Sequence, residues 1–430
     1  QPAGEKPVKI KGAGKWILLG LVTAAFVIIY NAIAIYRFSQ QDQTRKADCA
    51  IVAGAGINEK SPSPVFTARL DHAIWLYQEG KVNSLILTGG LSNGATESDA
   101  AIARILEIVG QRPTYLTFDI EVWCGGWKDL DAKFPASFER YVYGRSSAGD
   151  YALPKTLEIL DRNGLKGVFF VEPLFAARFG VEHLATIVDL IRAGGHDVQL
   201  HLHPEWSDEL RPLPFPGANR KRQHLAYYTL EEQTILIRKG LDLMAQVDCH
   251  PIAFRAGSFA ASADTFRALE ACGLGLDFSL NEVSADSAPD LRGQADFLQP
   301  SRIGAVKSVP MTIFRDGTGR LRPAQLGSCS VAELEGALES TRALGIGHFV
   351  LLSHNFEMLK QGRSNPDGIV VRRFEKLCKL LAARRDEFAV STTAMLPTFK
   401  ANPQKVSLPS VGLPATLWRL GEQAARRFIG

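Results

Sequence analysis

The sequence contains no C-x-x-C pair. Its six cysteines (Cys49, Cys124, Cys249, Cys272, Cys329 and Cys378) are scattered, which excludes a disulfide framework or a thiolate zinc site and leaves buried apolar residues or lone thiols. No dense basic cluster with interleaved aromatics occurs, and the formal net charge is only +4, so nothing supports nucleic acid as a partner. The P-loop lysine and the full dinucleotide fingerprint are missing, which leaves the glycine-rich turns as weak evidence for a phosphate site. Histidine is sparse: nine occur in 430 residues, yet three of them lie between His196 and His203. A chain of this length, with 46% hydrophobic residues, suffices for two domains or for one large domain with an appendage.

The histidine-rich stretch reads Gly195-His196-Asp197-Val198-Gln199-Leu200-His201-Leu202-His203-Pro204-Glu205-Trp206. Residues two apart on an extended strand point to the same side, so His201 and His203 converge while Val198, Leu200 and Leu202 pack on the other face. Two imidazoles and the nearby Glu205 carboxylate form a ligand set suited to a borderline divalent metal, zinc foremost. The competing reading is a pair of ordinary strand histidines beside a turn.

From Trp16 to Tyr36 the sequence has no charged residue, a run long enough to cross a bilayer as a helix. The apolar core of a cleaved signal peptide is shorter, and no convincing small-x-small cleavage site follows. Lys6, Lys9, Lys11 and Lys15 precede the run, whereas Arg37, Arg45 and Lys46 follow it beside Asp42. That bias places the amino terminus inside and the bulk of the chain outside. The expectation is a single-pass inner-membrane protein: a basic tail over residues 1–15, a transmembrane helix over 16–36, and an extracytoplasmic, periplasmic main domain. If the amino-terminal segment is foreign to that domain, a cytoplasmic location is the alternative.

Residues 48–110 alternate strand, helix, strand, helix: Ala50–Gly56, Thr67–Gln78, Ser84–Gly90 and Glu97–Val109. From Arg112 the alternation is fuller. Strands are expected at Tyr115–Asp119, Gly167–Val171, Asp197–His203, Ile252–Arg255, Gly275–Phe278, Lys307–Met311, His348–Leu352 and Phe388–Val390. Amphipathic helices are expected at Leu153–Asn163, Val181–Ala193, Leu230–Ala245, Ala263–Ala271, Val331–Leu344 and Ile369–Ala383. Seven or eight strands alternating with helices predict an α/β fold, a closed or nearly closed (β/α) barrel over 112–400. Residues 401–430 form a tail, with a basic helix over Leu413–Ile429. In such barrels reactive groups gather at strand ends. The candidates there are Asp119 and Glu121, His201 and His203 with Glu205, Arg255, Asp277, and His354.

Two resemblances rest on these residues. The strand-glycine turn, Arg69, Thr88-Gly89-Gly90 and Glu97 resemble the amino-terminal part of a membrane-anchored YdcF/SanA-like protein, a partial Rossmann-like segment that stops near Gly110. Thr117-Phe118-Asp119-Ile120-Glu121, His201 with its neighbours, Phe254-Arg255-Ala256-Gly257 and Leu351-Leu352-Ser353-His354 resemble, in order, four motifs of the polysaccharide deacetylases. These are the NodB-homology proteins of carbohydrate esterase family 4, and within them the residues are similar to a lipopolysaccharide-biosynthesis branch.

The second resemblance implies metal-dependent removal of an N-acetyl group from a sugar in a surface polysaccharide or lipid-linked lipopolysaccharide precursor. It implies a divalent cofactor, zinc foremost, with Asp119 as general base and His354 as acid. Arg255 would orient Asp119, and Asp277 would tune His354. The family's usual second aspartate is Ile120 here, so that ligand role passes to Glu121. The family's second histidine is spaced i, i+4, which falls on Glu205; His203 is the preferred alternative, leaving Glu205 a lesser ligand or a supporting group. Trp123, Trp127 and Trp206 lie near the motifs and are candidates for stacking on sugar rings. Two other readings stand beside this one: an amidohydrolase whose H-x-H is Leu200-His201-Leu202-His203, and a barrel without turnover that binds carbohydrate or serves as a scaffold.

Overall fold

The sequence Arg-Pro-Thr-Tyr-Leu-Thr-Phe-Asp-Ile at 112–120 sends alternate side chains to opposite faces, and in the computed structural model it forms the longest strand of the main sheet. The structure describes residues from 46 onward except 59–60, 93–94, 98–100, 102–111, 361, 364, 386, 394–405 and 430, together with isolated positions between 22 and 37. An amino-terminal unit comes first in the chain: strand β1 (Ala47–Val52), helix α1 (Pro64–Gln78) and strand β2 (Val82–Leu87). The main sheet follows, built from β3 (Arg112–Ile120), β4 (Val168–Val171), β5 (Asp197–Leu202), β6 (Ala253–Ala256), β7 (Leu276–Asp277), β8 (Ser301–Ile303), β9 (Val306–Ser308), β10 (Phe349–His354) and β11 (Phe388–Val390).

The strand order is β8-β9-β7-β6-β5-β4-β3-β10, with β11 also pairing β3. All neighbours are parallel except β8 with β9. The open side is bridged by single backbone bonds: Ala324 N–H donates to Thr312 O (2.8 Å), Leu352 N–H to Ala324 O (2.8 Å) and Leu326 N–H to Leu352 O (2.9 Å). The result is the expected mixed α/β architecture, a curled sheet whose ends meet through a short segment instead of a further parallel strand.

Crossover helices occupy the connections: α3 (Leu153–Arg162), α4 (Val181–Ala193), α5 (Leu230–Ala245), α6 (Ala263–Ala271), α7 (Val331–Ala343) and α8 (Gly368–Ala383). Thr229 with Glu232 and Ser330 with Glu333 form capping boxes that fix the starts of α5 and α7. A further helix, α2 (Leu130–Phe138), escapes the periodicity reading because Pro135 lies inside it.

Alternation divides the buried residues into two sets. Leu116, Phe118, Ile120, Phe169, Val171, Val198, Leu200, Leu202 and Phe254 join the helices in one large core. Tyr115, Val168, Phe170, Ala253, Leu276, Phe278, Val350 and Leu352 fill the inside of the curl. Parity along each strand therefore decides which polar residues look inward.

In the amino-terminal unit β1 and β2 pair in parallel, with Phe66, Leu70 and Ala73 of α1 buried against them. Two strands leave a face open, and Ile51 is 68% exposed. Glu97 closes the glycine turns: its carboxylate accepts from Gly56 N–H (2.7 Å) and Gly90 N–H (3.1 Å). Arg69 Nη1 donates to the carbonyls of Ala53 (3.2 Å) and Gly54 (3.0 Å). Glu79, at the end of α1, pairs with Arg302 (2.9 Å) and Lys307 on the main sheet. The helix expected over Glu97–Val109 and the apolar run Trp16–Tyr36 lie for the most part outside the described residues. Among the described residues no helix is long and apolar enough to cross a membrane.

Phe118 is buried in the larger core, stacked on Phe169 at 4.8 Å and edge-on to Phe374 at 5.7 Å. Phe118→Ala leaves a cavity under the β3–β4 pair and is expected to lower unfolding stability by about 3–5 kcal/mol. Denaturant unfolding followed by circular dichroism measures it, and a loss below about 1 kcal/mol would contradict this account of the core.

Candidate metal and active site

Inward parity at the carboxyl ends of β3, β5, β6 and β10 brings Asp119, His201, Arg255 and His354 together. His201 is in register with Arg255, and His354 with Asp119. Glu121 and His203, each two residues beyond an inward position, continue the same face past the strand ends. Gly257 completes the fit, because a Cβ there would lie 2.7 Å from the His203 ring. Asn355 grips the backbone of Glu121 from both sides, accepting from its N–H (3.3 Å) and donating to its carbonyl (3.0 Å).

Ligating atoms of Glu121, His201 and His203 all lie within 4.8 Å of one another, and a second such group joins Asp119, Glu121 and His354. His201 Nδ1 faces the carbonyl of Arg255 at 2.9 Å, and a carbonyl only accepts, so that nitrogen carries the proton. Its Nε2 then turns a lone pair towards Glu121 Oε1 at 3.1 Å. His203 lies between two carboxylates, with Nε2 2.9 Å from Glu121 Oε1 and Nδ1 3.2 Å from Glu205 Oε2. Acceptors that face each other at these distances need a cation between them, either a proton or a metal. Without a metal the burden falls on protons. Burial opposes charge on both groups, but the attraction between them prevails: His203 is raised well above the usual imidazole range, and Glu121 is held well below the carboxylate range. Two imidazole nitrogens and one carboxylate oxygen, each fixed by an outer partner, fit a divalent cation of the zinc type.

Arg255 is fully buried. Its Nη1 donates to Asp119 Oδ1 (2.5 Å), Nη2 to Thr117 Oγ1 (2.9 Å) and Nε to the Phe278 carbonyl (3.3 Å). His354 is reached from the other side by Glu357, whose Oε1 lies 3.1 Å from Nδ1. Gly327 N–H (2.7 Å) and Gln325 Nε2 (2.5 Å) hold that carboxylate in place. Burial pulls the imidazole down, but Glu357, Glu121 and Asp119 together raise it to about 9.

Two expectations change, and the open choice for Glu205 narrows to a supporting group. Asp277 does not meet His354. Its neighbours Leu276 and Phe278 point into the curl, so Asp277 points out, in register with Phe254, and accepts from Ser279 and Ser308. Burial, only partly offset by these bonds, pushes its carboxyl up to about 6. Trp206 is 1% exposed within the main core, so it has no face for a sugar. Glu205 stands behind His203, outside the converging set. Trp123 remains half-buried at the rim, with Trp127 edge-on at 6.0 Å.

Sequence reasoning missed Glu357, Asn355 and Glu172. The first two follow His354 closely, and Glu357 stands three residues on, a spacing that brings a side chain back through one turn. Glu172, the residue after β4, is buried and accepts from the N–H groups of Leu174 (2.9 Å) and Phe175 (3.3 Å); burial raises it to about 8.

No family model matches the chain, and no curated protein matches it. Among solved structures, the chain is similar to a prospective polysaccharide deacetylase from Mycobacterium smegmatis, at 18% identity over 68% of this chain and 94% of that one, with a TM-score of 0.42. It is also similar to a family 4 carbohydrate esterase from Streptomyces lividans, at 13% identity over 68% and 98%, TM-score 0.35. A third is a carbohydrate esterase family 4 pseudoenzyme from Bacillus anthracis, at 11% identity over 71% and 70%, TM-score 0.34. At these values the likeness has no bearing on the chemistry, which is read from the side chains.

Glu357→Gln is expected to bring His354 down from about 9 towards the ordinary imidazole value, which NMR titration of the ring proton in metal-free protein reads directly. The sign for stability follows. A raised histidine contributes fully below its unfolded value near 6.5 and loses that contribution as pH rises through about 9. Wild-type protein should therefore lose more stability than the variant across that window. An unchanged His354 titration would show that Glu357 does not hold it.

Proposed function

We propose that the chain is a metal-dependent hydrolase that removes the acetyl group from an N-acetylated sugar. The observation that carries this reading is the convergence of mutually facing acceptors, Glu121 Oε1 with His201 Nε2 and His203 Nε2, directly beside Asp119 and His354. The four ordered sequence motifs support it. Glu121, His201 and His203 would hold the divalent metal, zinc by preference for this donor set, with Glu205 behind His203. When bound, the metal supplies Lewis-acid polarisation of the acetyl carbonyl and lowers the pKa of water.

The protein's own groups divide the remaining work. Arg255 holds Asp119 by Oδ1 and leaves Oδ2 as the basic oxygen that takes the proton from the attacking water. His354, with Nδ1 turned to Glu357, carries its second proton on Nε2 and delivers it to the departing sugar nitrogen. Trp123, half-buried at the rim, offers a ring for the sugar. The substrate we assign is a surface polysaccharide or lipid-linked lipopolysaccharide precursor. The apolar run Trp16–Tyr36 and the lysines before it support anchoring in the inner membrane, with the barrel outside.

Acetate release from N-acetylated oligosaccharides, measured with chelator and with added zinc, tests the reading. We expect release to depend on metal and to fall at least about a hundredfold in Asp119→Asn, the usual scale for loss of a general base. Bound metal with no release from any acetylated glycan would favour a barrel that only binds carbohydrate. Protein that takes up no metal would sink the proposal.

A further inference from the structure

Glu121 has two carboxylate oxygens, and only one faces the imidazoles. Oε1 lies 3.1 Å from His201 Nε2 and 2.9 Å from His203 Nε2. Oε2 accepts a 2.6 Å hydrogen bond from the indole Nε1–H of Trp123. An indole nitrogen donates and never accepts, so this bond has one polarity and always claims a carboxylate lone pair. Trp123 is itself held. Its ring stands edge-on to His203 at 4.8 Å and to Trp127 at 6.0 Å, and lies nearly parallel to the buried Trp206 at 6.3 Å. Asn355 fixes the backbone of Glu121 at the same time.

We infer that Trp123 is a positioning residue that restricts Glu121 to donating one oxygen, Oε1, to the metal. The inference rests on the metal-site reading proposed above. Glutamate at this place has one more rotatable bond than aspartate, and an untethered carboxylate could turn to bind a cation through both oxygens. The second oxygen would fill a coordination position that a catalytic site keeps open for water and substrate. The indole removes that option without adding charge. It also links the rim to the ligand set, because the ring offered to a sugar is the ring that orients Glu121.

The test uses the full chain, stripped of metal and loaded with cobalt(II), whose visible absorption weakens as coordination number rises. Trp123→Phe keeps a ring and deletes the donor. It should show weaker cobalt absorption than wild type, and zinc affinity lower by about tenfold to a hundredfold, the scale for losing an outer partner of a ligand. Trp127→Phe alters the same aromatic group without touching Glu121, and should match wild type in both. A Trp123→Phe protein with wild-type absorption and affinity overturns the inference. A measurement on wild-type protein covers a variant that fails to fold: the Trp123 indole N–H resonance should remain protected from exchange when zinc is added. Its release into rapid exchange also overturns the inference. Wild-type protein that binds neither cobalt nor zinc overturns the metal reading and this inference together, a result distinct from bound metal indifferent to Trp123.

Discussion

A guanidinium removed from water persists in a fold only where its N–H groups find acceptors, and Arg255 meets that condition with bonds to acceptors on separate segments. It reaches Asp119 and Thr117 on β3 and the carbonyl of Phe278 beyond β7, while its Cζ lies 4.2 Å from the centre of the Phe170 ring on β4. Its own carbonyl fixes the tautomer of His201 on β5. One residue therefore sets the free oxygen of Asp119 and the free nitrogen of His201. Removing either partner of a buried pair of this kind costs about 3–5 kcal/mol, because the other charge is left stranded. The spacing between Asp119 Oδ2 and the cluster of Glu121, His201 and His203 is thus tied to the stability of the sheet itself.

The fold was legible where elements carry their own signals. Helix α5 falls at Leu230–Ala245 as read from periodicity, because its apolar stripe is preceded by a Thr-x-x-Glu capping box. The parallel strands are short apolar runs between such helices, which the alternation of elements reveals. Leu130–Phe138 was illegible because a proline breaks the pattern, and the antiparallel strand Ser301–Ile303 because Ser-Arg-Ile carries too little apolar periodicity.

The site was legible to the extent that strand parity governs it. Asp119, His201 and Arg255 occupy inward positions, and counting by twos reaches Glu121 and His203. Asp277 was not legible in this way: it takes the outward face because Leu276 and Phe278 point into the curl. Nor was Glu357, because it reaches His354 across a turn, held by Gly327 and Gln325, which lie about thirty positions earlier in the chain. The amino-terminal glycine turns teach a similar lesson. Their N–H groups are oriented as for an anion, but Glu97 supplies that anion from within the chain, and a phosphate there would meet its negative charge.

Alternation also accounts for the spacing of the two carboxylates, Asp119 and Glu121. Position 120 must face the helices, and Ile120 is 1% exposed in the main core, so a carboxylate there would have to be buried among apolar side chains. The next inward position is 121, one residue beyond the end of β3. A glutamate there carries one methylene more than an aspartate would. It also adds a torsion, and torsional freedom is what a ligand must lose before a cation arrives. Asn355 fixes the backbone and Trp123 the far oxygen, so the freedom added by the longer side chain is removed by its neighbours. The placement of Glu121 therefore depends on three residues together: residue 121, the indole two residues on and the amide after His354.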